Sequence, residues 1–139
     1  MTDAQKFEGF KKVLADENEK KYGAEIRQKY GDAAVDAANA KFAGLSPERY
    51  DEGERLRVEC EEALKLAFEA GDPASELAMK ACDLHRRWLC VYAPEYNKEY
   101  HKNLGEMYVA DARFRDYYDK IAEGCAQFLR DTINVYCGD

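Results

Sequence analysis

Apolar residues recur at helical spacing in five stretches of the chain. Leu56, Cys60, Ala63, Leu64 and Ala67 make one stripe, and Leu77, Ala81, Leu84, Trp88 and Val91 make a second. Tyr100, Leu104, Met107 and Tyr108 make a third, and Phe114, Tyr117, Tyr118 and Ile121 a short fourth. Cys125, Phe128, Leu129, Thr132, Ile133 and Tyr136 complete the set. Recurrence at three and four residues marks one face of a helix, and no strand-type alternation competes with it. The pattern predicts an all-α domain with short connections. Pro47, Pro73 and Pro94 each read as a first helical residue, where the missing N–H costs nothing. Ser46 and Asp72 stand before two of them as N-caps, and Asp111 reads as the N-cap of a further helix.

The N-terminal third follows a different pattern. Phe7, Phe10, Val13 and Leu14 suit a short amphipathic helix. From Asp16 to Gly44 the large apolar residues thin to Tyr22, Ile26, Tyr30, Val35 and Phe42, with Gly23 and Gly31 as interruptions. Packing rather than propensity supplies most helical stability. Two readings fit: a surface helix packed on the body, and a lid that orders over a ligand. The expected organisation is one domain over 1–139, with 1–44 as a less stable N-terminal lid and 45–139 as the helical body.

Composition narrows the classes of function. The net charge of −7 resides in the body: residues 1–44 hold eight acids and eight bases, and residues 45–139 hold twenty and thirteen. An acidic body without a basic stripe disfavours direct nucleic-acid binding and an anionic membrane surface. No apolar run reaches the roughly 18–20 residues of a membrane span, and no signal peptide is visible. The five cysteines are odd in number and lack a framework spacing. They read as reduced, packed thiols of a cytoplasmic protein.

Ten Tyr and six Phe supply the candidate chemistry. Tyr96, Tyr100, Asn103 and Met107 fall on one helical face, with Leu104 and Tyr108 beside them. Such a stripe can stack on flat rings and hydrogen-bond amides, although apolar spacing by itself mostly marks burial. Trp88, with His85 nearby, reads as a packed aromatic or a cleft wall. Metal and haem find little support. Cys82 and His85 could share a face but lack further ligands, and His101 has Lys98 where a di-iron motif needs Glu. No phosphate loop or nucleophile elbow is present, and Asp111 already has a capping role. The sequence predicts neither a cofactor nor an enzyme.

One motif is more specific. The run Leu104-Gly105-Glu106-Met107-Tyr108-Val109-Ala110-Asp111-Ala112-Arg113-Phe114, with Tyr117-Tyr118-Asp119 and Gly124-Cys125-Ala126-Gln127-Phe128-Leu129-Arg130-Asp131, resembles the C-terminal signature of the TipA-type antibiotic-recognition (TipAS) family. The likeness extends back through His85-Arg86-Arg87-Trp88-Leu89 and Gly71-Asp72-Pro73 to Asn18–Arg27. It implies a globin-like helical bundle without haem. It also implies binding of bulky cyclic, aromatic antibiotic peptides such as thiopeptides, beneath an N-terminal segment that is loose until ligand arrives. The expected contacts are Trp88, Tyr96, Tyr100, Asn103, Met107 and Tyr108, with Tyr22, Ile26 and Tyr30 closing from the lid.

Many members of this family are effector domains behind a MerR-type DNA-binding domain. The start at Met1, without DNA-reading helices, implies a stand-alone or excised copy. The alternative function is an effector or dimerisation module, with a homodimer as a possible state. Family members that trap dehydroamino-acid antibiotics carry a Cys where this chain has Asn103. Capture is therefore expected to be non-covalent, since an amide cannot add as a thiolate does.

Overall fold

The computed structural model describes residues 1–138. It is all-helical, in the order α1 (Asp3–Tyr30), α2 (Asp32–Ala43), α3 (Pro47–Ala70), α4 (Glu76–Tyr92), α5 (Lys98–Ala110), α6 (Ala112–Asp119) and α7 (Cys125–Cys137). No helix among the described residues is long and apolar enough to cross a membrane.

Local chemistry sets most helix starts. Thr2 and Gln5 form a reciprocal capping box at α1: the Gln5 N–H donates to Thr2 Oγ1 at 3.1 Å, and the Thr2 N–H donates to Gln5 Oε1 at 2.9 Å. Ser46, Ser75, Asn97 and Asp111 cap α3, α4, α5 and α6 through their side-chain oxygens. Ser46 and Asp111 act as the sequence predicts. Pro73 and Pro94 do not begin helices. Pro73 lies in a turn where Asp72 Oδ1 accepts from the Ala74 N–H at 2.9 Å, and α4 starts three residues later at Glu76, capped by Ser75. Pro94 lies in the α4–α5 connection, and Asn97 takes the cap. A free Ser or Asn oxygen near the helix start competes successfully with a proline whose only contribution is its fixed φ.

The body is built on an α3–α4 hairpin against which α7 packs, with α5 laid against α7. Leu56, Cys60, Leu64 and Ala67 from α3, Ala81, Cys82 and Val91 from α4, and Leu129 and Ile133 from α7 fill its interior. Leu77, expected in the α4 stripe, is instead exposed at the helix start. Gly105 brings α5 and α7 together: a Cβ there would stand 3.3 Å from Ile133 Cδ1 and 3.5 Å from Arg130 Cα.

The N-terminal third forms two helices, and α1 runs unbroken through Gly23 to Tyr30, where a short amphipathic helix was expected. The break comes at Gly31, whose φ of 87° is a conformation that favours glycine. Arg27 spans it, with Nε on Glu19 at 2.6 Å, Nη1 on Asp32 at 3.0 Å and Nη2 on Asp36 at 2.9 Å.

Two lysines join this region to the body. Lys11, 2% exposed, donates to the Ala43 and Leu45 carbonyls at 2.6 and 2.7 Å and pairs with Glu8 at 3.0 Å. Lys41 donates to the Cys90 and Ala93 carbonyls at 2.9 and 2.5 Å, closing the end of α4. Cations on the last carbonyls of a helix satisfy orphan acceptors and complement its dipole. Phe7 and Phe10 meet Tyr50 edge-on, each at 5.8 Å, while Val35 is buried and Phe42 packs near Tyr92.

Lys11→Met keeps the aliphatic stem and removes the charged donor from two carbonyls. It should cost about 1–3 kcal/mol, the usual range for stranding buried acceptors. The measurement is the urea midpoint, with the slope unchanged.

Candidate functional site

The C-terminal half of α1 approaches α5 and α6 through side chains. From α6, Arg113 reaches Glu25 with Nη2–Oε1 at 2.7 Å and Nη1–Oε2 at 3.2 Å. The same guanidinium grips Asp111 at 2.7 Å and lies over the Tyr22 ring at 5.3 Å. Arg113 holds the Asp111 carboxyl below its ordinary value, at about 2. At the end of α1 the Tyr30 hydroxyl donates to Met107 Sδ at 3.6 Å. The Tyr100 phenol is pushed up by burial and by the neighbouring Tyr30. Tyr22, Ile26 and Tyr30 nevertheless remain 37%, 38% and 50% exposed. Their apolar surface is left partly open.

The structure divides the predicted site residues into two groups. Tyr22 and Tyr30 from α1 meet α6 and α5, where Tyr100 and Met107 are half-buried. Ile26 is one turn from both tyrosines on α1, and Asn103 is exposed on α5. Tyr108 instead is buried between α5 and α4, and Tyr96 and Trp88 are partly buried beside it. Tyr96 precedes α5 and bonds inward to His101, so it does not continue the helical stripe. Trp88 is wedged between His85 at 5.6 Å and Tyr92 at 5.7 Å. Tyr108, 3% exposed, packs against Tyr118 at 4.8 Å and Phe114 at 5.7 Å. The buried face of α5 is His101, Gly105 and Tyr108, one residue round from the stripe read in the sequence.

That face also carries a polar cluster that apolar spacing does not reveal. His85 on α4 and His101 on α5 stack with ring centres 4.9 Å apart and share a hydrogen bond, Nδ1 to Nε2, of 2.8 Å. Tyr96 Oη lies 2.7 Å from His101 Nδ1, and Tyr108 Oη lies 3.1 Å from His85 Nε2. Both imidazoles are buried, and each of their nitrogens already has a partner. Burial holds both well below the ordinary histidine value; the His85–His101 pair cannot readily carry a proton on both rings, and the Arg86 guanidinium further disfavours charge on His101. The signal available beforehand was the seven-residue spacing of His101 and Tyr108, which puts both on one helical face.

Two shallow depressions mark the surface elsewhere, one between α3 and α4 beside Leu66 and Leu77, the other beside Val58 and Ile121. Both are rimmed by lysine and glutamate, and neither includes a predicted site residue.

Residues 22–136 match the model of the TipAS antibiotic-recognition domain. The chain belongs to the TipAS family. It is 33% identical over 138 residues to the HTH-type transcriptional activator TipA of Streptomyces coelicolor, covering 96% of this chain and 52% of that one. It is 26% identical over 136 residues to the HTH-type transcriptional activator mta of Bacillus subtilis, covering 94% and 51% respectively. The chain thus spans about half the length of the curated relatives it matches. A solved structure of TipAS from Streptomyces lividans, in complex with the thiopeptide antibiotic nosiheptide, superposes with a TM-score of 0.68 at 31% identity. That match covers 99% of this chain and 94% of the other. The all-α, globin-like bundle expected from the sequence is the fold found.

The neutral histidine pair has a consequence for stability. The unfolded chain takes up protons near the ordinary histidine value of about 6.5, while the folded chain resists them. The contribution of the pair is complete above that value and is lost as pH falls toward the lowered folded values. Thermal melting between neutral and mildly acidic pH should show this loss. Replacing both histidines by Gln should flatten the slope, and an undiminished slope would assign it to carboxylates.

Proposed function

We propose that this domain binds a bulky, aromatic, cyclic-peptide antibiotic of the thiopeptide class, held non-covalently between α1 and the α5–α6 face. The observation that carries this reading is the exposed apolar surface along Tyr22, Ile26 and Tyr30, with Tyr30 bonded to Met107 and beside Tyr100. The family and the nosiheptide-bound TipAS neighbour supply the ligand class. Aromatic faces stack on flat heterocycles, Met adapts to their edges, and Asn103 offers an exposed amide for ligand peptide groups. Closure of α1 is gated by contacts that are cheap to remake. The Arg113–Glu25 pair is exposed on both sides, and such pairs contribute little alone.

The domain works by binding, not by chemistry. Burial pushes the Cys60 and Cys125 thiols up to about 12, which keeps them protonated and poorly nucleophilic. Position 103 offers an amide where covalent capture needs a thiolate. Because the relatives are HTH-type activators that this chain matches over about half their length, the same binding event suits the effector half of a regulator as well as a sequestering protein.

Nosiheptide is the first probe. At a hundredfold excess over Kd a ligand raises stability by about 2.7 kcal/mol, visible as a thermal shift. Tyr30→Ala and Met107→Ala should each weaken binding by about tenfold, the scale of 1.4 kcal/mol, with the helical signal retained. Unchanged affinity in both would remove this face as the site. Intact mass spectrometry should return the free protein mass after incubation; an adduct on any Cys would contradict reversible capture. Amide exchange across residues 16–44 should slow when ligand is added, while 125–136 stays protected throughout. Equal protection of both regions without ligand would make α1–α2 a fixed wall.

A further inference from the structure

The histidine pair obeys a proton count that fixes both rings together. Each neutral imidazole has one N–H and one lone pair. The 2.8 Å link between His85 Nδ1 and His101 Nε2 holds a single proton. If His101 supplies it, His101 Nδ1 is bare and accepts the Tyr96 hydroxyl, and the His85 Nε2–H donates to Tyr108. If His85 supplies it, Tyr108 donates to His85 Nε2, and the His101 Nδ1–H donates to Tyr96. The two rings are therefore both Nε2–H or both Nδ1–H. A mixed pair sets two protons, or two lone pairs, against each other in a buried site, leaving polar groups unsatisfied at full desolvation cost.

This chain of four side chains is attached to α5 at His101 and again at Tyr108, two helical turns on. Tyr100 and Met107 are the residues immediately before these two anchors. Successive helical residues are about 100° apart, so the rotation of α5 about its own axis decides where Tyr100 and Met107 point. Gly105, between the anchors and on the same face of α5, lies against α7.

We propose that His85 and His101 are positioning residues for the antibiotic-binding face: a pair of like tautomers that locks the rotation of α5 and so aims Tyr100 and Met107 at α1. The aiming role rests on the reading given under Proposed function, and the tautomer pairing does not. Neither histidine touches ligand; both act through α5.

The chain has two histidines, so its imidazole nitrogen spectrum contains four resonances. Nitrogen-15 NMR of the full chain at neutral pH should show two neutral rings in the same tautomer. Unlike tautomers, or two freely averaging rings, would overturn the pairing. For the aiming role, His101→Leu should weaken nosiheptide binding by about tenfold, the scale of one net hydrogen bond. His101→Gln, which keeps a donor and an acceptor, should restore most of it. Equal affinity in the wild type and the Leu variant would overturn the role.

If His101→Leu does not fold, Tyr96→Phe and Tyr108→Phe each remove one hydroxyl and keep the ring. Both should then shift the Tyr100 ring and Met107 methyl resonances in the ligand-free protein. Unmoved resonances would count against the proposal. If the wild type does not bind nosiheptide at all, the ligand reading fails, while the tautomers and these ligand-free shifts still decide the inference.

Discussion

The interface between α4 and α5 depends on a buried hydrogen bond between two uncharged imidazoles. An unpaired imidazole nitrogen in this setting would carry the desolvation cost of a polar group with no compensating bond. His85 and His101 meet that constraint for each other, and Tyr96 and Tyr108 complete it at the two ends. The arrangement works while both rings are neutral, and burial keeps them so. Hydrogen bonds of this kind are directional, which a packed aliphatic interface is not. They bear on the rotation of α5 as well as on its distance from α4, which is the basis of the positioning role proposed for the pair.

The N-terminal third is attached by another kind of contact. Where the body buries aliphatic stripes, α1 and α2 place two lysine ammonium groups on helix-end carbonyls, with aromatic edges around Tyr50 and Tyr92. These anchors secure the first turns of α1 and the end of α2. The stretch of α1 between them reaches the body through an exposed ion pair, a cation over a ring and a thioether contact. A segment held by such contacts is consistent with the closing wall proposed above.

The composition of the proposed face fits this geometry. A rigid, polycyclic ligand loses little conformational freedom on binding, so stacking and apolar burial carry over into affinity. Tyr and Met offer such area at low rotamer cost or with high adaptability.

Much of this was legible in the sequence. The stripes of α3 and α7 appear in the structure as read, because aliphatic residues at helical spacing have one way to be buried. Ser46 and Asp111 cap the helices they precede, because a cap is a local bond. The motif run from Leu104 to Phe114 carried the family, which the whole-chain comparison bears out. Tertiary structure decided what local spacing could not. Tyr96 and Tyr108, which local spacing places beside the ligand stripe, bond to two histidines sixteen residues apart whose ring nitrogens need partners. Lys11, an ordinary surface residue by composition, became 2% exposed because the end of α2 presented carbonyls to it. Period and capping are properties of a few neighbouring residues, and the sequence states them directly. The pairing of buried polar groups depends on which distant segments meet, and that is settled when the helices pack.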